Sequence, residues 1–336
     1  LFPYTTLFRS TVERHEHPSA SRIARAVRYL IALFVIITLN FALPRLMPGD
    51  PLMNIVGEEA YYGSGGALEE LRDDLGLNQP VHVQYGRYLA GVFTGDWGYS
   101  YLYLRPVLQS IVLHLGWTLV LVLPAVLLAA VIATVLGGIA AWHRGSSSDA
   151  GLTWGFLLAY SMPHYWLAML VLFLFSFHLG WFPLGRATSG GALSLSAIPD
   201  VAWHLALPLA VVTLFKAAYD FLIVRSSVVS ILGEDYILLA QAKGLSSNAV
   251  LLKHALRNAL APLVTVTAIQ FGMVFSGTLL IEVVFSWPGM GTLIYDAIGA
   301  RDYPLLQSAF LIVAVCVLLA NFAADMLYPR LDPRTR

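Results

Sequence analysis

Residues 111–142 read IVLHLGWTLVLVLPAVLLAAVIATVLGGIAAW, an apolar run without one Asp, Glu, Lys or Arg. A helix needs roughly 20 mostly apolar residues to cross hydrocarbon, so this one is long enough to tilt or to project beyond the bilayer. Working outward, residues 27–47, 152–179, 201–224, 259–285 and 305–327 pass the same test. The expectation is an all-α integral membrane protein with six transmembrane helices and both termini on one side. Composition agrees, because 58% of residues are hydrophobic, 12% are charged and the mean hydropathy is +0.71. An ordinary soluble domain carries about 25% charged residues. Lys and Arg total 20 and Asp and Glu total 20, which excludes a global basic surface for nucleic acid; the partner that composition names is the lipid bilayer.

Lys and Arg concentrate in cytoplasmic loops, so the flanks of the spans are polled for sidedness. One set carries Arg14, Arg22, Arg25 and Arg28, then Arg144, then Arg225, Lys243, Lys253 and Arg257, then Arg330, Arg334 and Arg336. The other holds Arg72, Arg87, Arg105, Arg186 and Arg301 and is acid-rich, with Asp50, Glu58, Glu59, Glu69, Glu70, Asp73, Asp74 and Asp96 in its first loop. The first set is expected inside, placing residues 11–26 and the tail 331–336 in the cytoplasm and residues 48–110 outside. Residues 1–10, LFPYTTLFRS, resemble the translation of an adapter sequence and are left out of the fold. Cys316 stands in an apolar run and reads as a buried, inert thiol.

Residues 226–258 are too polar to span and too regular to be disordered. Within them Glu234-Asp235-Tyr236-Ile237-Leu238-Leu239-Ala240-Gln241-Ala242-Lys243-Gly244-Leu245-Ser246-Ser247 puts acids at the positive end of a helix. Gly244 can end that helix, and Ser246 or Ser247 can cap the next. Helix, tight turn, helix is the expectation. The small residues Ala240, Ala242 and Gly244 would let another protein's backbone approach closely, and Leu245 offers an apolar knob. On these physical grounds alone an ordinary interhelical loop stays equally open.

The stretch DYILLAQAKGLS at 235–246, followed by LLKHALRNALAP at 251–262, resembles the signature loop of the binding-protein-dependent ABC permeases, in the branch that imports dipeptides, oligopeptides and nickel. Leu46-Met47-Pro48-Gly49-Asp50-Pro51 resembles that branch's turn after the first span. Leu71-Arg72-Asp73-Asp74-Leu75-Gly76-Leu77, Gln79-Pro80, Gln84-Tyr85 and Gly95-Asp96-Trp97-Gly98 resemble its first outer loop. Trp287-Pro288-Gly289-Met290-Gly291, with Arg301-Asp302-Tyr303-Pro304, resembles the loop before its last span. Pro then Gly there predicts a type II turn.

The resemblance implies a type I ABC importer permease fold: a first span, a large extracytoplasmic loop, and a core over 111–330 with a cytoplasmic coupling loop. It implies that Asp235, Tyr236, Ala240, Ala242, Lys243, Gly244 and Leu245 dock on a separate ATPase, centred on Ala240 and Gly244. The glutamate that names the motif in sugar-importing relatives falls on Leu238. Also implied are a second homologous permease, two ATPase subunits that bind ATP and Mg, and an extracytoplasmic solute-binding protein, all at a bacterial inner membrane. Peptide is the substrate expected, with nickel or glutathione as alternatives.

Lys216 and Asp220 stand four apart in the fourth span, so they share a face and can pair, which lowers the cost of charge in lipid. Two roles stay open, contact with a transport pathway and a structural ion pair facing another subunit. An ion-coupled secondary transporter could use the same pair as a relay, but no inverted repeat supports that. His204 beside Trp203 reads as an interfacial anchor rather than a nickel ligand, and no histidine pair has metal-site spacing. Thr38, Asn40, Ser161 and Asn321 read as interhelical hydrogen-bonding groups, while Pro124, Pro163 and Pro208 can kink their helices. No GxxxxGK[ST] occurs, so the chain is expected to be a non-catalytic subunit whose energy comes from elsewhere.

Overall fold

Two helices fix the architecture. In the computed structural model, which describes residues 18–46, 52, 61, 65–74, 76–190, 197–272 and 278–331, α4 (Val107–Trp142) and α7 (Ile198–Leu232) are each long and apolar enough to cross a membrane unaided. They pack closely because α4 presents small residues at intervals of four: Ala125, Ala129, Ala133 and Gly137 are all buried. Small side chains let helix backbones approach, the main source of association where lipid is as apolar as leucine. A methyl group on Gly137 would stand 3.0 Å from Val224 and 3.3 Å from the backbone nitrogen of Arg225. Phe221, Val224 and Val228 of α7 fill the seam, with Phe156 stacked on Phe221 at 4.4 Å.

Before α4 come α1 (Pro18–Leu46), α2 (Gly65–Asp74), α3 (Val81–Thr94) and a hairpin of β1 (Tyr99–Ser100) and β2 (Arg105–Pro106), paired antiparallel with Tyr99 opposite Pro106. α3 is fastened to α1. Tyr85 shares a hydrogen bond of 2.7 Å with Thr38, Asn40 donates to Tyr88 at 3.2 Å, and Arg45 lies over the Phe41 ring while donating to Gln84. Asn40 also donates to the Gln307 carbonyl across to the last helix. Thr38 and Asn40 therefore bond between elements, as the sequence suggested. The adapter-like residues 1–10, the turn at 47–51, Glu58 and Glu59, and the tail beyond residue 331 lie outside the described residues.

The third apolar stretch departs from a simple crossing. It is two helices, α5 (Ser147–Ser161) and α6 (His164–Val171), the second widening into π-helical turns over Leu172–His178, and the halves meet at 104°. Pro163 lacks a backbone N–H, and its ring pushes Met162 out of the helical region, to φ −82° and ψ 141°, as a residue before proline must be. The fourth apolar helix also runs on past Val224 to Leu232, because Val228, Val229, Ile231 and Leu232 continue the apolar face although Ser226, Ser227 and Ser230 among them dilute the hydropathy. The polar loop thus begins at Gly233, not at residue 226.

Beyond it are α8 (Asp235–Ala242), a turn, and Ser247–Leu256 leading into α9 (Arg257–Gly272). Then follow α10 (Leu279–Val284), α11 (Met290–Ala300) and α12 (Tyr303–Leu331). Apolar cores sit at both ends of the α4–α7 pair, one around Phe221 and Leu263 and one around Leu121, Val211 and Trp287. A third, of Ile111, Leu293 and Leu305, joins α4, α11 and α12.

Candidate functional site

The loop end of the bundle carries a small, self-supporting platform. Gly244 takes φ +81°, a conformation that costs an L residue strain. The Gly244 N–H returns to the Gln241 carbonyl at 2.9 Å and the Leu245 N–H to Ala240 at 3.4 Å, the paired bonds of a Schellman C-cap. Two residues on, the Ser246 hydroxyl accepts from the Ala249 N–H and starts the next helix. The Asn258 amide donates to the Tyr236 hydroxyl at 3.0 Å, tying the two arms together. Helix, glycine turn and serine-capped helix are all present where the sequence placed them.

One docking residue has to be corrected. Ala240 is 7% exposed and packs with Ile237, Val250 and Ala255 against Trp142, Ile231 and Leu232. It belongs to the root that holds α8 on the bundle, because Ile237 and Ala240 three positions apart share the inward face. Asp235, Tyr236, Ala242, Lys243, Gly244 and Leu245 are exposed. The apolar exposure comes from Leu238 and Leu239, each 56% open, together with Leu245.

Arg225, counted in the sequence only as a flanking charge, is bound to Asp149 two turns before the end of α7. Its Nε donates to Asp149 Oδ1 at 2.7 Å and its Nη2 to Oδ2 at 2.9 Å. Asp149 also accepts from the Gly145 N–H at 3.0 Å, while its own N–H is capped by Ser146. This bidentate pair joins the α4–α5 turn to the last turns of α7.

Midway along α7 the structure corrects the expected pair. Lys216 and Asp220 form no ion pair among the described residues: Asp220, with no exposed surface, accepts from the Gln270 amide of α9 at 2.6 Å. Gln270, on a helix packed against α7, lies within hydrogen-bond reach of that carboxylate, whereas the lysine one turn back on the same helix does not close to an ion pair. Lys216 stays half-buried near His164, whose ring lies against Phe215. His204 hydrogen-bonds the Asp200 carbonyl at 2.8 Å.

At the opposite end, Glu282 organises the Trp287–Gly291 segment. It is 1% exposed, and its carboxylate accepts from the Thr118 hydroxyl at 2.8 Å and the Gly291 N–H at 2.6 Å. Thr118 in turn accepts from the Met290 N–H, and the Trp287 indole donates to the Trp117 carbonyl. The expected type II turn is absent, since Gly289 has φ −93° and the positive φ falls on Ser286. The glycines serve close approach instead: a methyl on Gly289 would stand 2.5 Å from the Glu282 carboxylate, and one on Gly291 2.5 Å from Leu279 Cα. Glu282 went unread in the sequence, although a lone acid in the run Leu279–Phe285 was its signal. Nearby, Asp302 holds the hairpin to the head of α12, accepting from Ser100 at 2.6 Å and from Leu305 N–H at 3.1 Å. Tyr103 donates to Asp296, and burial, then that carboxylate, push its hydroxyl pKa up to about 12.

Long apolar helices, two of them able to cross a membrane unaided, define a helical membrane protein with a structured, leucine-bearing platform at one end. The family model for the inner membrane component of binding-protein-dependent transport systems matches residues 133–336, and that for the N-terminal part of such membrane components matches residues 21–122. The chain belongs to this family of transport permeases. It is 36% identical over 334 residues to a dipeptide transport system permease protein, DppB, of Alkalihalophilus pseudofirmus, covering 94% of this chain and 99% of the relative. It is 38% identical over 333 residues to a di/tripeptide transport system permease of Pseudomonas aeruginosa, covering 94% and 98%. The dipeptide permease of Escherichia coli strain K12 is 36% identical over 334 residues, with the same two coverages.

Proposed function

We propose that this chain forms half of the translocation pathway of an ATP-driven peptide importer, with a second homologous permease as the other half. It crosses the membrane six times with both termini in the cytoplasm, the bent α5–α6 pair counting as one crossing. ATP and Mg are bound by two separate ATPase subunits, and an extracytoplasmic solute-binding protein delivers substrate to the hairpin end. The chain itself holds no nucleotide. The observation that carries the reading is the α8 platform: Leu238, Leu239 and Leu245 lie open while Ile237 and Ala240 root the helix on the end of α7. A partner moving α8 moves the span that continues into it, biasing a two-state bundle. Peptide is preferred to nickel because the relatives are peptide permeases by name and His204 is occupied by Asp200.

The test is purification of the tagged chain in mild detergent, with its co-purifying subunits identified by mass spectrometry. An ATPase and a second permease are expected, and Leu238→Asp with Leu245→Asp should release the ATPase while the permease pair persists. A chain that purifies alone, or an ATPase indifferent to both substitutions, would overturn the reading.

A further inference from the structure

The middle of the bundle holds a cation that closes no ion pair among the described residues. Lys216 lies near the midpoint of α7, and His164 near the midpoint of the bent α5–α6 unit, at the break itself. Asp220, the nearest acid on the same helix, gives one oxygen to Gln270 of α9 and keeps the other buried without a hydrogen bond. Lys216 has no hydrogen bond or ion pair among the described residues, and the charged or titratable groups that interact with it electrostatically are Asp220 on its own helix and His164 on α6. Tyr219, three residues on from Lys216 along the helix, stacks its ring on that of Tyr160 at 6.0 Å; the two are 41% and 44% exposed, with both hydroxyls unbonded among the described residues.

An ammonium and two phenols at mid-span are costly against lipid tails, so such groups face the bundle interior or a water-filled cavity. A broken helix at the same depth is tolerated in the same places. Everything exposed in this cluster donates hydrogen bonds: the lysine carries three N–H and no acceptor, and each tyrosine offers an O–H. Its complement is a small anion. Every peptide with a free C-terminus carries one carboxylate whatever its side chains, so a single station of this kind would serve substrates of mixed sequence.

Resting on the peptide-permease reading, we propose that Lys216, with Tyr160, Tyr219 and His164 around it, binds the C-terminal carboxylate of the peptide in transit.

The experiment uses the whole importer in proteoliposomes, with Cys316→Ala as the parent and Lys216→Cys introduced into it, and dialanine as the transported probe. Lys216→Cys is expected to lower uptake about tenfold, the loss of one charge-assisted hydrogen bond. Aminoethyl methanethiosulfonate, which rebuilds an ammonium on the thiol, should restore most of it, and sulfonatoethyl methanethiosulfonate should not. Dialanine should slow both modifications, and Lys216→Arg should stay within about twofold of the parent. The proposal is overturned if the introduced thiol resists both water-soluble reagents, as a group covered by lipid or by an acid of the second permease would. It is overturned equally if dialanine gives no protection, or if uptake ignores the charge installed. A parent that takes up no dialanine defeats the peptide reading itself and the station with it; normal parent uptake with a charge-indifferent position 216 defeats the station alone.

Discussion

Arg225 on α7 grips Asp149 at the head of α5 through two parallel hydrogen bonds, although 76 residues separate them. Asp149 would keep the Gly145 N–H and the Thr153 hydroxyl as donors, so removing the guanidinium should cost about 1–3 kcal/mol, the loss of a charge-assisted pair. Arg225→Ala is expected to lower the thermal midpoint in detergent markedly. A thermal double-mutant cycle with Asp149→Ala reads the coupling of the pair directly.

Gly244 and Gly291 are constrained for different reasons and should respond differently to one added methyl. Nothing lies within 4 Å of a Cβ on Gly244, so Gly244→Ala should cost only the left-handed strain, about 1 kcal/mol, and Gly244→Asn less. Gly291→Ala forces a methyl against the α10 backbone and should cost about 3 kcal/mol. Equal midpoints for the two alanine variants would contradict this ordering.

Within α8, adjacent residues should separate stability from assembly. Ile237→Ala empties a fully buried site and is expected to cost about 2–4 kcal/mol. Leu238→Ser and Leu239→Ser, on the open face, should leave stability within about 0.5 kcal/mol while weakening capture of the partner. Thermal unfolding and co-purification of the same three variants decide it.

Glu282→Gln keeps the shape of the side chain but weakens acceptance of the Thr118 O–H and Gly291 N–H bonds, while Glu282→Ala leaves those donors buried and unpaired, at about 1–3 kcal/mol for each. The alanine variant should expose the Trp287–Gly291 segment to limited proteolysis, with glutamine intermediate.

What the sequence made legible was periodic or compositional. Residues 111–142 declare a span by hydropathy alone, and Gly244 with Ser246 declare a turn and a cap by local chemistry. Pro163 announced a bend but not its size, since 104° depends on how α6 packs against α7 and α10. Ala240 was misplaced because two turns of helix have too little periodicity to tell the rooted face from the open one. Lys216 and Asp220 were paired by spacing, whereas the decisive partner, Gln270, comes from another helix. Neither Asp149 with Arg225 nor Thr118 with Glu282 leaves any local pattern, because only tertiary contact unites them.

Between Leu232 and Lys216 α7 is unbroken helix, for Pro208 lies on the far side of Lys216. Sixteen residues at 1.5 Å each make a lever arm of about 24 Å. Pivoted at the Leu232 end, a tilt of about 5° would carry Lys216 sideways by about 2 Å, enough to make or break a hydrogen bond without any bond inside α7 changing length.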